Sequence, residues 1–299
     1  MKIRIGTRGS KLALIQAEIV KKELLLYGPS IEIQIVPIKT TGDNNKSADL
    51  TKLGGKALFL KEIEEELLAK NIDIAVHSMK DVPAMIPKGL KIAAVLERVD
   101  SRDVFVSNNG KSFLDLEEGA IIGTSSPRRA VQILTLRPDF HIVPFRGNVD
   151  SRLKKVQDNE VDATMLALAG LERLGLYEQS YQILDRETMI PAVGQGVICI
   201  ECREEDQDML KLLAAINHSP TEILMKAERA FLETIEGNCK TPMGACAEFI
   251  DSANIQLTAF LAREDNSKIV IKTEKGLAVN AYKIGEAMAN SILKEIVKL

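Results

Sequence analysis

Tryptophan is absent from the chain, and aromatic residues amount to only 4% of it. With a formal charge of -3 at neutral pH, the protein has neither the stacking surfaces nor the cationic excess that a nucleic-acid partner demands. No run is apolar for long enough to span a bilayer, which argues against a membrane partner. The opening MKIRIG enters a strand pattern without the apolar stretch and small-residue cleavage site of a secretory signal, so a cytoplasmic location is expected. Cysteine is scarce. A reducing compartment keeps Cys199, Cys202, Cys239 and Cys246 as free thiols. Cys199 and Cys202 have CxxC spacing but lie in GVICIEC, which reads as a buried strand whose positions three apart face opposite sides. Core packing is the expectation there, zinc or redox use the weaker alternative, and no metal site is expected. Of the three histidines, His77 reads as packed, while His141 and His218 show no partner spacing and read as incidental.

What is present fits a multidomain enzyme-sized chain. Its 299 residues exceed one compact domain, and 45% apolar with 27% charged residues is the balance of a globular protein. Strand-like runs (IRIG, IEIQIVPI, IDIAVH, AIIG, FHIVPF, DATMLA) alternate with helix-period stretches such as KLALIQAEIVKKELL, which indicates α/β units. An internal echo is visible. The turn Gly6-Thr7-Arg8 before one helix corresponds to Gly123-Thr124 before another, and IVPIK at 35–39 corresponds to IVPFR at 142–146. Two similar α/β domains follow from this, residues 1–96 with 197–216 and residues 102–190. The polar stretch from Glu97 to Arg102 and the segment Pro191 to Gly196 read as paired crossings of a hinge. Residues 219–299 form a smaller α+β domain. It opens with Ser219-Pro220-Thr221-Glu222, read as a capping box, and continues through a hairpin around Asp265-Asn266 to a helix near Ala281 to Val297.

Chemistry-bearing residues collect where strands end. Thr124-Ser125-Ser126 before Pro127-Arg128-Arg129 places hydroxyls, free amides and two guanidinium groups at one helix N-terminus, a combination suited to an anion; a capped helix with two solvated arginines is the bland alternative. Arg8 and Ser10 occupy the equivalent turn of the first copy, and Arg146-Gly147-Asn148 follows another strand, with Arg152 one turn into the next helix. A polyanionic ligand is implied. Lys80 and Asp81 lie just beyond the IDIAVH strand, where a carboxylate among cations is held ionised and can stabilise a positively charged intermediate. Lys52 to Ala57 superficially matches a phosphate loop, but Leu50 and Ala57 replace the required glycine and hydroxyl. Gly194-Gln195-Gly196 fails as a dinucleotide fingerprint, because Cys199 stands at the third glycine position; its glycines read as a hinge and lid. Cys239 sits in an irregular, accessible loop after a helix end, where a generic surface thiol is the bland reading.

The strings TRGS, LGGKALF, DIAVHSMKDVP, GTSSPRR, RGNVDSRL, ALAGLERLG, PAVGQG, IECR and EGNCKTPMGA occur in an order and spacing that resembles the porphobilinogen deaminase (hydroxymethylbilane synthase) family over nearly the whole chain. The resemblance implies an α/β protein of two similar, hinged, periplasmic-binding-protein-like domains plus a smaller α+β third domain. It implies a monomeric transferase of haem and chlorophyll biosynthesis that condenses four porphobilinogen molecules into hydroxymethylbilane. Growth takes place on a dipyrromethane cofactor held by a thioether to Cys239. Asp81 corresponds to the catalytic carboxylate. Arg8, Ser10, Lys52, Lys56, Phe59, Ser78, Lys80, Thr124, Ser125, Ser126, Arg128, Arg129, Arg146, Gly147, Arg152, Arg173 and Gln195 correspond to positions that hold cofactor and substrate. A two-lobed solute-binding protein is the main non-enzymatic alternative.

Overall fold

The computed structural model describes residues 1–40, 60–238 and 240–297 of the 299-residue chain. The chain divides into two compact units, Met1–Val99 with Gly196–Ile223, and Asp100–Gln195 with Leu224–Leu299.

The first unit is built on a five-stranded sheet, ordered β2 (Glu32–Ile38), β1 (Lys2–Arg8), β3 (Ile74–Ser78), β10 (Ile198–Arg203), β4 (Leu90–Val95). β1 runs parallel to β2 and β3, whereas β10 is antiparallel to both β3 and β4. Successive side chains of a strand face opposite sides, and β3 shows the consequence. Ile74 and Val76 pack with Ala17, Val20 and Leu24 of α1 (Lys11–Tyr27) and with Met209 and Leu213 of α6 (Gln207–Ile216). Ala75 packs on the other face with Ile63 and Leu67 of α2 (Lys61–Leu68). With both faces covered, every residue of β10 is buried. That is why Cys199 and Cys202 are both inaccessible, and burial pushes the Cys202 thiol up to about 11.

The second unit repeats the arrangement. Its five-stranded sheet is ordered β7 (His141–Val143), β6 (Ile121–Gly123), β8 (Ala163–Ala167), β5 (Asp103–Ser107), β9 (Gln182–Ile183). β6 is parallel to β7 and β8, and β5 is antiparallel to β8 and β9, so order and direction reproduce those of the first sheet. The sequence echo is therefore an echo of topology. α3 (Pro127–Leu136), α4 (Val149–Gln157) and α5 (Leu168–Leu174) connect these strands. The same unit carries a three-stranded antiparallel sheet of β11 (Met243–Phe249), β12 (Asn254–Ala262) and β13 (Ile269–Leu277), with α8 (Ala281–Ile296) and, from Leu224 onward, α7 (Ser219–Ile235). Val131 of α3 and Ile190 pack with Phe260, Ala262 and Ile269, joining this sheet to the α/β part of its own unit. The architecture is α/β with two similar sheets, plus a smaller α+β portion.

One local expectation is corrected. The residue capping α7 is His218, not Ser219: its carbonyl accepts from Glu222 N at 3.0 Å, and its ring Nδ1 lies 3.3 Å from Thr221 N. Glu222 reaches Asn217 Nδ2 at 2.7 Å instead of closing a capping box. An imidazole nitrogen supplies the acceptor that an N-cap hydroxyl normally gives. His218 is thus structural and not incidental.

Candidate functional site

Of the residues singled out in the sequence, the described ones fall into one group in each unit. In the first unit, parallel pairing of β1 with β3 puts the carboxyl ends of both strands on the same sheet edge. Arg8 closes β1, and Ser10 caps α1 by accepting from Ala13 N at 3.3 Å. Ser78 closes β3, and its Oγ lies 2.8 Å from Nε2 and 3.2 Å from Oε1 of Gln16 on α1. Met79–Asp81 then make a single 3₁₀ turn, with Met79 N donating to Val197 O at 2.9 Å. Met79 is buried as the anchor of this turn, which leaves Lys80 and Asp81 exposed. Pro83 follows at once, so the turn goes no further.

In the second unit, the carboxyl ends of β6, β7 and β8 share an edge in the same way. After β6, Thr124 Oγ1 accepts from Ser126 N at 3.1 Å, Ser125 Oγ accepts from Phe145 N at 2.9 Å, and Ser126 Oγ caps α3 with Arg129 N at 3.4 Å. All three hydroxyls thereby support the local backbone. After β7, Gly147 has φ +128, and Arg152 Nε donates to its carbonyl at 2.8 Å. A side chain there would meet Ser151 Oγ at 2.4 Å, so this tight approach requires glycine. Arg146 is exposed, and Arg152 is half-buried. Arg173 lies in α5 after β8, with its pKa pulled down to about 10 by burial.

Arg128 and Arg129 are not the solvated pair of the bland alternative: both are buried, at 5% and 7% exposure. Their common partner is Asp103, the first residue of β5 and fully buried, at 2.7 Å from each guanidinium. Burial pushes the Asp103 carboxyl up, but the two arginines and the hydrogen bonds outweigh it and hold the group far below the usual carboxylate range. Arg128 Nη1 also donates to Ile190 O at 2.7 Å. Gln195 Nε2 donates to Ser101 O at 2.7 Å and to Asp103 Oδ1 at 2.9 Å. Asp103 escapes a reading of the sequence, because nothing in a lone aspartate at the start of a short strand marks its partners 25 and 26 positions away.

Lys52, Lys56, Phe59 and Cys239 lie outside the described residues. On either side of Cys239, the backbone is fixed by hydrogen bonds from Asn238 N to Thr241 Oγ1 at 3.1 Å and from Lys240 N to Asn238 Oδ1 at 2.9 Å.

Comparison with known proteins finds similarity along most of the chain. Residues 3–211 match the family model described as "Porphobilinogen deaminase, dipyromethane cofactor binding domain", and residues 223–294 match "Porphobilinogen deaminase, C-terminal domain". A porphobilinogen deaminase of Rickettsia bellii is 51% identical over 273 residues, 91% of each chain. That of Rickettsia akari is 49% identical over 98% of this chain and 99% of its own. That of Bacillus mycoides is 46% identical over 98% and 95%.

Proposed function

Since the chain belongs to the porphobilinogen deaminase family, we propose that its strand-end cations bind the carboxylates of pyrrole units, that Asp81 is the catalytic carboxylate and that Cys239 carries the cofactor through a thioether. The protein is a transferase of tetrapyrrole biosynthesis: it polymerises four porphobilinogen molecules, with loss of ammonia, to hydroxymethylbilane by stepwise addition to a dipyrromethane primer. The observation that carries the site reading is the concentration of cations and hydroxyls at equivalent carboxyl edges of two like sheets. Arg8, Ser10, Ser78 and Lys80 stand on one, and Thr124, Ser125, Ser126, Arg146 and Arg152 on the other.

The donor set suits the cofactor. Dipyrromethane carries several carboxylates, and Arg129 Nε is a buried donor with no hydrogen-bond partner among the described residues, beside two guanidinium groups that share one acid. Lys80, Arg128, Arg129 and the hydroxyls of Thr124 to Ser126 would hold it, with Arg8, Arg146, Arg152, Arg173, Lys52, Lys56, Phe59, Gly147 and Gln195 completing the binding surface for it and for the substrates. When bound, dipyrromethane supplies the nucleophilic α-carbon of its terminal pyrrole. Each charge-assisted contact contributes roughly 1.5 to 3 kcal/mol, so several of them orient a polyanion against its solvation.

Asp81 acts on the substrate. As the pyrrole nitrogen lone pair moves into the ring, the bond from the methylene carbon to the ammonium nitrogen breaks and its electron pair leaves with ammonia. The positive charge that was on the ammonium now lies on the azafulvenium, and the Asp81 carboxylate stabilises it. The cofactor, where bound, would supply the carbon that takes up this cation, and each addition would release ammonia and a proton. The exposed position of Asp81 beyond β3, held by the buried Met79, supports this role.

The reading extends to a cytoplasmic monomer of three domains, 1–96 with 197–216, 102–190 and 219–299, whose hinge motion accommodates the lengthening chain. No helix among the described residues is long and apolar enough to cross a membrane. The test is the intact mass of purified wild-type and Cys239→Ser protein, before and after incubation with porphobilinogen. A stable increment of two linked pyrroles, present only with Cys239, is expected. An equal increment on the serine variant would move the attachment elsewhere.

A further inference from the structure

The surroundings of Arg128 and Arg129 are costly for stability and are built to one electrostatic end. Both arginines stand in the first turn of α3, where the helix macrodipole already presents positive charge and cations are disfavoured. Both are buried, and among the described residues the only acid paired with either is Asp103. Two guanidinium groups over one carboxylate leave an excess of one buried positive charge, and Arg129 Nε is buried without a hydrogen-bond partner among the described residues. A cluster that served folding alone would be balanced, because an uncompensated buried charge opposes folding. The imbalance is complementary to a second carboxylate.

We infer that Asp103 is a positioning residue, which splits its two carboxylate oxygens between Arg128 and Arg129 and so fixes both guanidinium groups for a carboxylate of the ligand. Its Oδ2 takes Arg128 Nη2 at 2.7 Å and its Oδ1 takes Arg129 Nη2 at 2.7 Å. Arg128 is further tied to Ile190 O at 2.7 Å, so its plane is set at two points. Gln195 extends the support by donating one amide nitrogen to both Asp103 Oδ1 and Ser101 O. Gln195 thereby holds the acid that holds the arginines. The acid cannot be replaced by a neutral isostere, since an asparagine would turn an NH₂ towards one guanidinium and leave both charges unanswered. The inference rests on the proposed site, and the ligand carboxylate belongs either to the bound dipyrromethane or to incoming porphobilinogen.

Four variants separate the possibilities: Asp103→Asn, Asp103→Glu, Gln195→Met and Arg129→Gln. Each is measured for thermal unfolding, for the two-pyrrole mass increment, and for kcat and KM with porphobilinogen. Folded Asp103→Asn is expected to raise KM about tenfold or more while kcat changes less than about threefold, with Asp103→Glu restoring most of the loss. If the variant folds but does not take up the two-pyrrole increment, and Asp103→Glu restores it, the carboxylate served is the cofactor's; loading with raised KM assigns it to the substrate. Should Asp103→Asn fail to fold, Gln195→Met removes one support from Asp103 without touching the ion pairs, and a rise in KM of about threefold is expected. Wild-type loading and KM in whichever of these variants folds would overturn the inference. Arg129→Gln tells this apart from failure of the site itself: if it too loads and binds normally, the arginines are not ligand residues, whereas a defect in Arg129→Gln alone removes only the role of Asp103.

Discussion

His77 Nε2 lies 3.1 Å from Glu201 Oε2 in the core of the first unit, with both side chains almost fully buried. The pair bridges β3 and β10, where Cys199 faces His77 in the antiparallel register. The other carboxylate oxygen, Glu201 Oε1, has no hydrogen-bond partner among the described residues. A third titratable group, Glu64 of α2, is 6% exposed and feels both Glu201 and His77.

Glu64 makes the first unit less stable as pH rises. Burial, then the charge of Glu201, pushes its carboxyl up from 4.5 to about 7, while His77 pulls the other way. The folded chain therefore keeps a proton there that the unfolded chain has lost between these two values. The stabilisation is fully present below pH 4.5 and is lost as pH rises through about 7. A shift of this size corresponds to roughly 3 kcal/mol at most. Glu64→Gln keeps the shape without the charge, so its stability relative to wild type is expected to improve from pH 5 to pH 8 by about 1 to 3 kcal/mol in urea unfolding. Equal differences at the two pH values would show that Glu64 titrates normally.

Asp81→Asn separates chemistry from folding. Asp81 is exposed at the end of a turn whose anchor is Met79, so the substitution is expected to leave the thermal transition within about 1 °C of wild type. Loss of a charge aimed at a developing cation costs on the order of 10²-fold or more in kcat. KM is expected to change far less, because the strand-end cations remain. Normal turnover would remove Asp81 from the mechanism.

The elements with regular side-chain periods are the legible ones. IQLTAFLA and KIVIKTEK alternate around Asp265-Asn266, and they pair as β12 and β13. β11 is not legible: Met243 to Ala247 offers glycine, alanine and cysteine where β-branched residues would signal a strand, and it is fixed by pairing along β12. The strand-end motifs can be read because each lies within a few residues of one turn. Burial of Arg128 and Arg129 cannot, since it depends on Asp103 at a separation of 25 and 26 residues and on Gln195 at 92 from that acid. Nor does any local pattern connect Glu64 and His77 to Glu201.

Glu228 is a clip inside the second unit. Fully buried on α7, it accepts Gly194 N at 2.7 Å through Oε2 and Ala247 N at 2.8 Å through Oε1. Glu228→Gln must present an NH₂ to one of these two N–H donors, whichever way the amide is turned. A loss of roughly 2 to 3 kcal/mol in urea unfolding is expected. An unchanged midpoint would mean that the backbone amides find other acceptors.

Gly285 decides how close α7 and α8 can come. A Cβ at this position would stand 2.0 Å from Ala227 O and 2.9 Å from Ala230 Cβ. In an isolated helix, Gly→Ala gains up to about 1 kcal/mol from propensity alone. Here the obstacle is a backbone carbonyl of the facing helix, which no rotamer change relieves, so the helices must separate and give up packing worth roughly 1 to 3 kcal/mol. Overpacking outweighs propensity, and Gly285→Ala is expected to lower the unfolding midpoint. Gly276→Ala is the informative companion: its Cβ would meet Ile284 Cδ1 at 2.9 Å, the far end of a flexible side chain that can move aside. The expected order of cost is Gly285→Ala well above Gly276→Ala. Equal costs would show that chain entropy at glycine, and not the approach of the two helices, governs both positions.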